Sequence, residues 1–315
     1  MLPLTVHFPI QNDEATLPAT LESLRPLNAE IIAIDTGSTD SSARICRSHG
    51  VKVVVAKSAD RSSIRNSVPT TNQWHLALEP WEILLSPTEV YKAVTGDPKA
   101  YFVQIVQGDI LSKSVRLWHS STGCRFVNPV FESITRPNAD HLNVVLLSDP
   151  PSRPDCKLQQ VEMWQKSMPA AHEPWYYKAC VHLERREYDQ FVSAAAPLLF
   201  PETEPTLPAG MTKYHLAMVN CYIKKNPEEA VKNLLVCLAV NPLMAEFWCM
   251  LGDVYYYLVK QYDKAKGFYE NAKILGARRL KTDTWPLQIS KYGEYPDKML
   301  ESCRAMVKNV RVLVQ

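Results

Sequence analysis

The sequence predicts an α/β unit on a mainly parallel sheet with crossover helices, followed by an all-α unit of helical repeats. Three observations carry that expectation. Short apolar runs alternate with helix-start signals up to residue 55. A proline-rich stretch, Ser148-Asp149-Pro150-Pro151-Ser152-Arg153-Pro154, then breaks the texture. Beyond it, Trp248, Leu251, Gly252 and Tyr255 stand at the spacing Trp-x-x-Leu-Gly-x-x-Tyr, with a similar set 34 residues earlier. The expected parts are residues 1–149, 150–282 and a C-terminal capping segment, 283–315.

Taken in order, residues 4–8 read as a first strand and 13–24 as a helix with leucines at helical spacing. Residues 30–34, Glu-Ile-Ile-Ala-Ile, read as a buried strand ending at Asp35. Thr36-Gly37-Ser38-Thr39-Asp40 is a turn rich in N-cap residues, with Asp40 the expected cap, and 41–49 continues as a helix. Gly50 stops it, and 51–55 is a third strand. Strand–helix–strand–helix–strand at this spacing requires crossovers, hence parallel pairing. Ligands of such sheets lie at the carboxyl ends of the strands, here 9–14 and 35–40. Further strands are expected at 82–85, 101–106, 114–118 and 144–147.

In the second part, Ala265, Tyr269 and Ala272 continue the Trp248 pattern after one inserted residue near Lys260. The earlier copy comprises Tyr214, Ala217, Met218, Cys221, Ala230, Leu234, Cys237 and Pro242. A degraded copy starts near His172, with Trp175, Tyr188 and Phe191, and 201–208 is expected to be a loop insertion. Each copy is a helix pair that cannot bury its apolar face alone, so the pairs must stack. Pro296 is expected to open a last helix reaching about residue 307.

The totals restrict the function. The chain of 315 residues is 46% hydrophobic and 22% charged with a net charge of +2, an ordinary globular mix. That balance gives no general support to a nucleic-acid or anionic-membrane partner. No run reaches the ~18 apolar residues of a membrane span. The eight cysteines are scattered without Cys-x-x-Cys spacing, which argues for buried free thiols in a reducing, cytoplasmic setting over disulfides or zinc.

Gln11-Asn12-Asp13-Glu14, then Ile34-Asp35-Thr36-Gly37-Ser38-Thr39-Asp40, resemble the opening of family 2 glycosyltransferases of the GT-A fold, closest to members with a tetratricopeptide tail. Leu17-Pro18, Leu21, Leu24, Arg65-Asn66, Val115-Arg116-Leu117 and Arg125-Phe126 extend the ordered match across roughly residues 1–145. The resemblance implies glycosyl transfer from a nucleotide-sugar donor, a UDP-sugar first among them, to a hydroxyl acceptor on a protein, a glycan or a modified nucleobase. It implies nucleotide contacts at Asn12, Asp13, Glu14, Asp35 and Gly37, with Arg65 and Asn66 near the diphosphate. A strand-end carboxylate such as Asp35 suits the imide N–H of uracil, and a planar guanidinium suits phosphate.

The family's metal-binding Asp-x-Asp-Glu is expected after the strand ending at Leu85, where this chain has Ser86-Pro87-Thr88-Glu89. Its later His-Glu is Phe131-Glu132 here. No residue is therefore assigned to a metal, since hydroxyls and Phe are poor ligands for a hard divalent cation. Three readings are open. The first is a metal-independent transferase in which Arg61, Arg65, Lys113 or Arg116 meets the diphosphate and Glu132, Glu89 or Asp109 is the base. The second is an inactive transferase-like domain that binds or scaffolds through its repeats. The third is a subunit whose site a partner completes. A protein partner on the repeat surface fits all three.

Overall fold

The computed structural model describes residues 1–56, 60–129, 132–135, 138–151, 154–168, 171, 173–198, 207–279 and 283–314. The chain divides into two compact units, Met1–Ser152 and Arg153–Gln315.

The first unit follows the predicted order and adds to it: β1 (Leu4–Ile10), α1 (Leu17–Leu24), β2 (Glu30–Asp35), α2 (Ser42–Ser48), β3 (Lys52–Val55) and α3 (Arg61–Asn66). Then come β4 (Trp74–Ala77), β5 (Glu82–Leu84), α4 (Pro87–Val94), β6 (Ala100–Gln107), β7 (Ile110–His119), β8 (Phe126–Val127), β9 (Ser133–Ile134) and β10 (Ala139–Ser148). The main sheet runs β3-β2-β1-β4-β7-β6-β10-β5. β1 pairs in parallel with β2 on one side and β4 on the other, and β2 pairs in parallel with β3. The fold is thus α/β and mixed: β7 is antiparallel to both β4 and β6, and β5 is antiparallel to β10.

Every residue of β1 is buried, as expected of a central parallel strand covered on both faces. Leu17, Leu21 and Leu24 put one stripe of α1 into the core with Val6, Phe8, Leu76 and Leu146. Each such side chain contributes about 1.5–3 kcal/mol when fully buried. Asp40 Oδ1 accepts from Ser42 N at 2.9 Å at the start of α2, and Gly50, at φ +74°, lets the chain leave that helix in the left-handed region. On the opposite face, His7, His75, Trp118 and Phe126 form a ring cluster.

The second unit contains α5 (Pro154–Ser167), α6 (Glu173–Glu184), α7 (Tyr188–Ala195), α8 (Leu207–Met218), α9 (Pro227–Val240), α10 (Ala245–Asp253), α11 (Tyr262–Gly276) and α12 (Glu294–Val314). The two better copies are α8–α9 and α10–α11. In each, the first helix widens into a π turn, Val219–Ile223 and Val254–Val259, and exits through a left-handed lysine, Lys225 or Lys260. The inserted residue near Lys260 is absorbed by the second π turn, one residue longer than the first; accommodating an extra residue is what a π turn does in a helix. The consensus glycine has a packing reason: a Cβ on Gly252 would lie 2.5 Å from the buried Tyr269 ring. The next residue, Asp253, is fully buried and accepts hydroxyl bonds from Tyr222, Tyr269 and Tyr295 at 2.5, 2.6 and 2.6 Å, tying α12 to both copies.

The degraded copy corresponds to α6–α7, with Phe191 fully buried; His172 and residues 201–206 of the expected insertion lie outside the described residues, and its last two, Leu207 and Pro208, open α8 instead. The last helix starts at Glu294, two residues before Pro296, which takes a first-turn position where its missing N–H costs nothing. Among the described cysteines, Cys46, Cys221, Cys237, Cys249 and Cys303 are buried free thiols, and Cys124 and Cys180 are half-buried ones. No described helix is long and apolar enough to cross a membrane.

Candidate functional site

At the carboxyl edge of β1 and β2, the loops that leave the two strands are fastened to each other by side chains. Asn12 adopts φ +58°, and its Oδ1 accepts from Thr39 N (2.8 Å), Thr39 Oγ1 (3.3 Å) and Asp40 N (3.3 Å). Glu14 Oε2 accepts from Ser41 N at 2.9 Å, and Glu14 N donates to Asp40 Oδ2 at 3.1 Å. The buried Asp13 accepts from Gln11 N at 2.7 Å on Oδ2, and its own N–H donates to Ser42 Oγ at 2.8 Å. Asp35 lies opposite Ile10 in the sheet register. Its Oδ1 accepts from Gly37 N (3.1 Å) and Ser38 N (2.8 Å). Gly37, at φ +110°, occupies backbone space that a side chain would strain. These bonds fix the Asp35 carboxylate while Oδ2 takes no protein hydrogen bond among the described residues. Asn12 and Glu14 shape the loop through groups that are already spent.

Beside this edge, β4 ends at Ala77 and Leu78 N donates to His7 O of β1 at 3.1 Å. Glu79-Pro80-Trp81-Glu82 therefore comes directly after the strand that flanks β1, whereas the Asp-x-Asp-Glu element is expected after β5. The assignment of that element to Ser86 and Thr88 is corrected by strand direction. β5 is antiparallel to β10, β10 is parallel to β6, and β6 and β4 are both antiparallel to β7. β5 thus runs opposite to β1, and the segment that leaves it turns toward the other edge. Glu89 goes with it: α4 packs on the turn Arg25–Leu27 that precedes β2, and Glu89 pairs with Lys92 at 2.7 Å. It is removed from the edge that carries Asp35. Asp109 is the exposed tip of the β6–β7 hairpin. The hairpin continues six residues past Leu117, the partner of Leu76, to Leu111 and the Gln107–Ile110 pair that closes it. At ~3.3 Å per residue that sets Asp109 roughly 20 Å beyond the end of β4.

Glu79 and Glu82 join a network that the sequence pattern did not reveal. Asp60 caps α3, accepting from Ser62 N and Ser63 N, and Arg61 and Arg65 project from one face of that helix at i, i+4. Both reach Glu132: Arg61 Nε at 2.9 and 3.1 Å, Arg65 Nε at 2.6 Å. Arg61 also binds Glu79 Oε2 at 2.9 Å, and Arg65 binds Glu79 Oε1 and the Leu78 carbonyl, the latter at 3.0 Å. Arg116 adds Glu82 at 3.4 Å and Glu79 at 3.8 Å. Three guanidiniums thus meet three carboxylates. Burial alone would raise the Glu132 carboxyl, but the Arg65 and Arg61 charges outweigh it and hold it well below the ordinary carboxylate range.

Three expected roles change in consequence. Arg65 has no side-chain exposure and faces the Leu78 carbonyl and two carboxylates, so it is no open phosphate donor. Asn66 is a clip: its Nδ2 donates to Phe126 O and its Oδ1 accepts from Phe126 N, each at 2.9 Å. Glu132, with 6% side-chain exposure and two guanidiniums, is a counter-ion rather than a carboxylate waiting for a proton. Phe131 lies outside the described residues. Among the described residues no group of three or more His, Cys, Asp or Glu is arranged to hold a metal ion.

A strand-end carboxylate beside fastened loops, at the edge of a sheet with a parallel β1–β2–β3 half, is the frame of a nucleotide-binding α/β unit. Residues 5–64 match the glycosyl transferase family 2 model. Similar solved structures include glucosyl-3-phosphoglycerate synthase from Mycobacterium tuberculosis, in complex with Mn2+, UDP and phosphoglyceric acid. It is 23% identical over 33% of this chain and 43% of that one, with a TM-score of 0.25. MamA from Desulfovibrio magneticus RS-1 is 19% identical over 51% of this chain and 85% of that one, with a TM-score of 0.36. The chain thus aligns with less than half the length of the synthase. No curated protein matches it.

Proposed function

We propose that the first unit binds a nucleotide-sugar, a UDP-sugar above all, and transfers its sugar to a hydroxyl acceptor without an Asp-x-Asp metal site. The observation that carries this reading is the Asp35 carboxylate: Oδ1 is fixed by two backbone N–H groups and Oδ2 is left to accept a base imide. Gly37 gives the ligand close approach, and Asn12, Asp13 and Glu14 hold the loop in shape. Residues 1–149 would hold the donor. Residues 150–282 would present the acceptor, whether protein, glycan or modified nucleobase, or a partner protein, and 283–315 would cap the repeats through Tyr295.

A second reading, nucleotide-sugar binding without turnover, is favoured by the candidate bases. Glu132 is neutralised by Arg61 and Arg65, and Glu89 is removed from the edge. The test is a panel of nucleotide-sugars, with binding measured by thermal shift and turnover by released nucleotide. Release of nucleotide in the presence of candidate acceptors supports transfer. Binding with no release from any acceptor supports the second reading. A folded protein that binds no donor defeats both.

A further inference from the structure

The carboxylates just past β4 are already neutralised by the protein. Glu79 receives Arg61 on Oε2 and Arg65 on Oε1, with Arg116 at 3.8 Å. Glu82 receives the Glu79 backbone N–H on Oε2 at 2.8 Å and Arg116 on Oε1 at 3.4 Å. Between them stands Trp81, whose side chain has no oxygen to offer. A Mg2+ or Mn2+ ion needs oxygen ligands at about 2.0–2.2 Å in near-octahedral order. Here it would have to expel guanidiniums from three of the four carboxylate oxygens and a backbone N–H from the fourth, and then sit beside three positive charges. The residues at this site do not fit a divalent cation.

They fit an anion at one point. Arg65 is fully buried and Arg116 has 16% side-chain exposure, whereas Arg61 has 30%. Arg61 uses Nε on Glu132 and Nη2 on Glu79, which leaves Nη1 without a protein acceptor among the described residues. Arg116 Nε is also buried without an acceptor there. The network therefore keeps unspent guanidinium donors on the edge that carries Asp35, and a fixed planar fork is the preferred partner of phosphate.

We infer that Arg61, Arg65 and Arg116 fill the seat a divalent cation would take, and that Arg61 receives the diphosphate of the nucleotide through Nη1. The inference rests on the nucleotide-sugar reading and adds to it the groups that meet the phosphates. Three measurements test it: UDP binding by calorimetry in Mn2+ and in EDTA, UDP and uridine binding to Arg61→Ala and Arg61→Lys, and a paramagnetic resonance titration of Mn2+ against the ligand-free protein. UDP affinity is expected to agree within about twofold in the two buffers. It should fall roughly ten- to a hundredfold in Arg61→Ala, the loss of one charge-assisted bond, and by less in Arg61→Lys. Uridine affinity should not change, which separates phosphate contact from general damage to the fold, and the Mn2+ spectrum should stay that of the free ion. UDP binding that disappears in EDTA, or Mn2+ held by the ligand-free protein, overturns the inference and leaves the nucleotide reading standing. Absence of UDP and uridine binding under every condition removes the nucleotide reading and the role of Arg61 together.

Discussion

Replacing Glu132 by Gln separates two accounts of that residue by sign and by observable. As a general base, Glu132 would be dispensable to folding and its loss would abolish turnover. As the counter-ion of Arg61 and Arg65, its loss leaves three guanidiniums to two carboxylates and takes one of the two counter-charges from Arg65, which has no side-chain exposure. Breaking a buried pair by removing one partner costs about 3–5 kcal/mol. The Gln carbonyl still accepts one bond, so the lower half of that range is expected. In a unit of this size each kcal/mol moves the melting temperature by roughly 2–4 °C, so the variant should melt about 6–15 °C lower. The pH dependence has a definite sign. The folded carboxyl is held below its ordinary range, first against burial and then by Arg65 and Arg61. Its stabilisation is therefore present above the unfolded value, about pH 4.3, and is lost as pH falls below it. The gap between wild type and Glu132→Gln should narrow below about pH 4. Thermal denaturation followed by circular dichroism, near neutrality and in acid, measures both effects. A variant that melts with wild type at neutral pH yet has lost all turnover would refute the counter-ion account and restore Glu132 as the base.

Other expectations concern single groups. Asp35→Asn keeps an oxygen for the Gly37 and Ser38 N–H groups but loses the charge; UDP affinity by calorimetry should drop roughly tenfold, a charge-assisted bond reduced to a neutral one, with the melting temperature nearly unchanged. Gly252→Ala drives a methyl into the Tyr269 ring; chemical denaturation of the helical unit should show a loss of about 1–3 kcal/mol, the usual cost of overpacking. His215 is half-buried, but its Nδ1 is buried and unpartnered among the described residues, and desolvation pushes its imidazole down to about 4. Folding must then refuse a proton that the unfolded chain takes below about pH 6.5, so stability is full above that value and declines as pH falls toward 4. His215→Leu should flatten that decline, which amounts to ~3 kcal/mol at most.

Where the sequence was legible, the information was local. β1 and β2 are mostly apolar runs because parallel strands covered on both faces need them, and the loops after them are dense in residues that bond their own backbone. The repeats were legible because the pattern around Gly252, Tyr255 and Ala265 recurs one copy earlier; even the one-residue offset survived as a longer π turn. β4 was not legible. It is four residues long, and His75 interrupts its apolar character because that ring stacks on Trp118, a partner 43 residues away. Without β4, the sequence pattern puts the carboxylate element on β5, whose reversed direction is a property of pairing with β10 and leaves no local trace. The same holds for function. Arg65 and Glu132 are 67 residues apart, and each alone reads as a site residue. Only their meeting turns a phosphate donor and a base into a mutual clamp, and transfers the open guanidinium to Arg61. A charged residue in a motif can thus be assigned a role only after its counter-charge has been found in space.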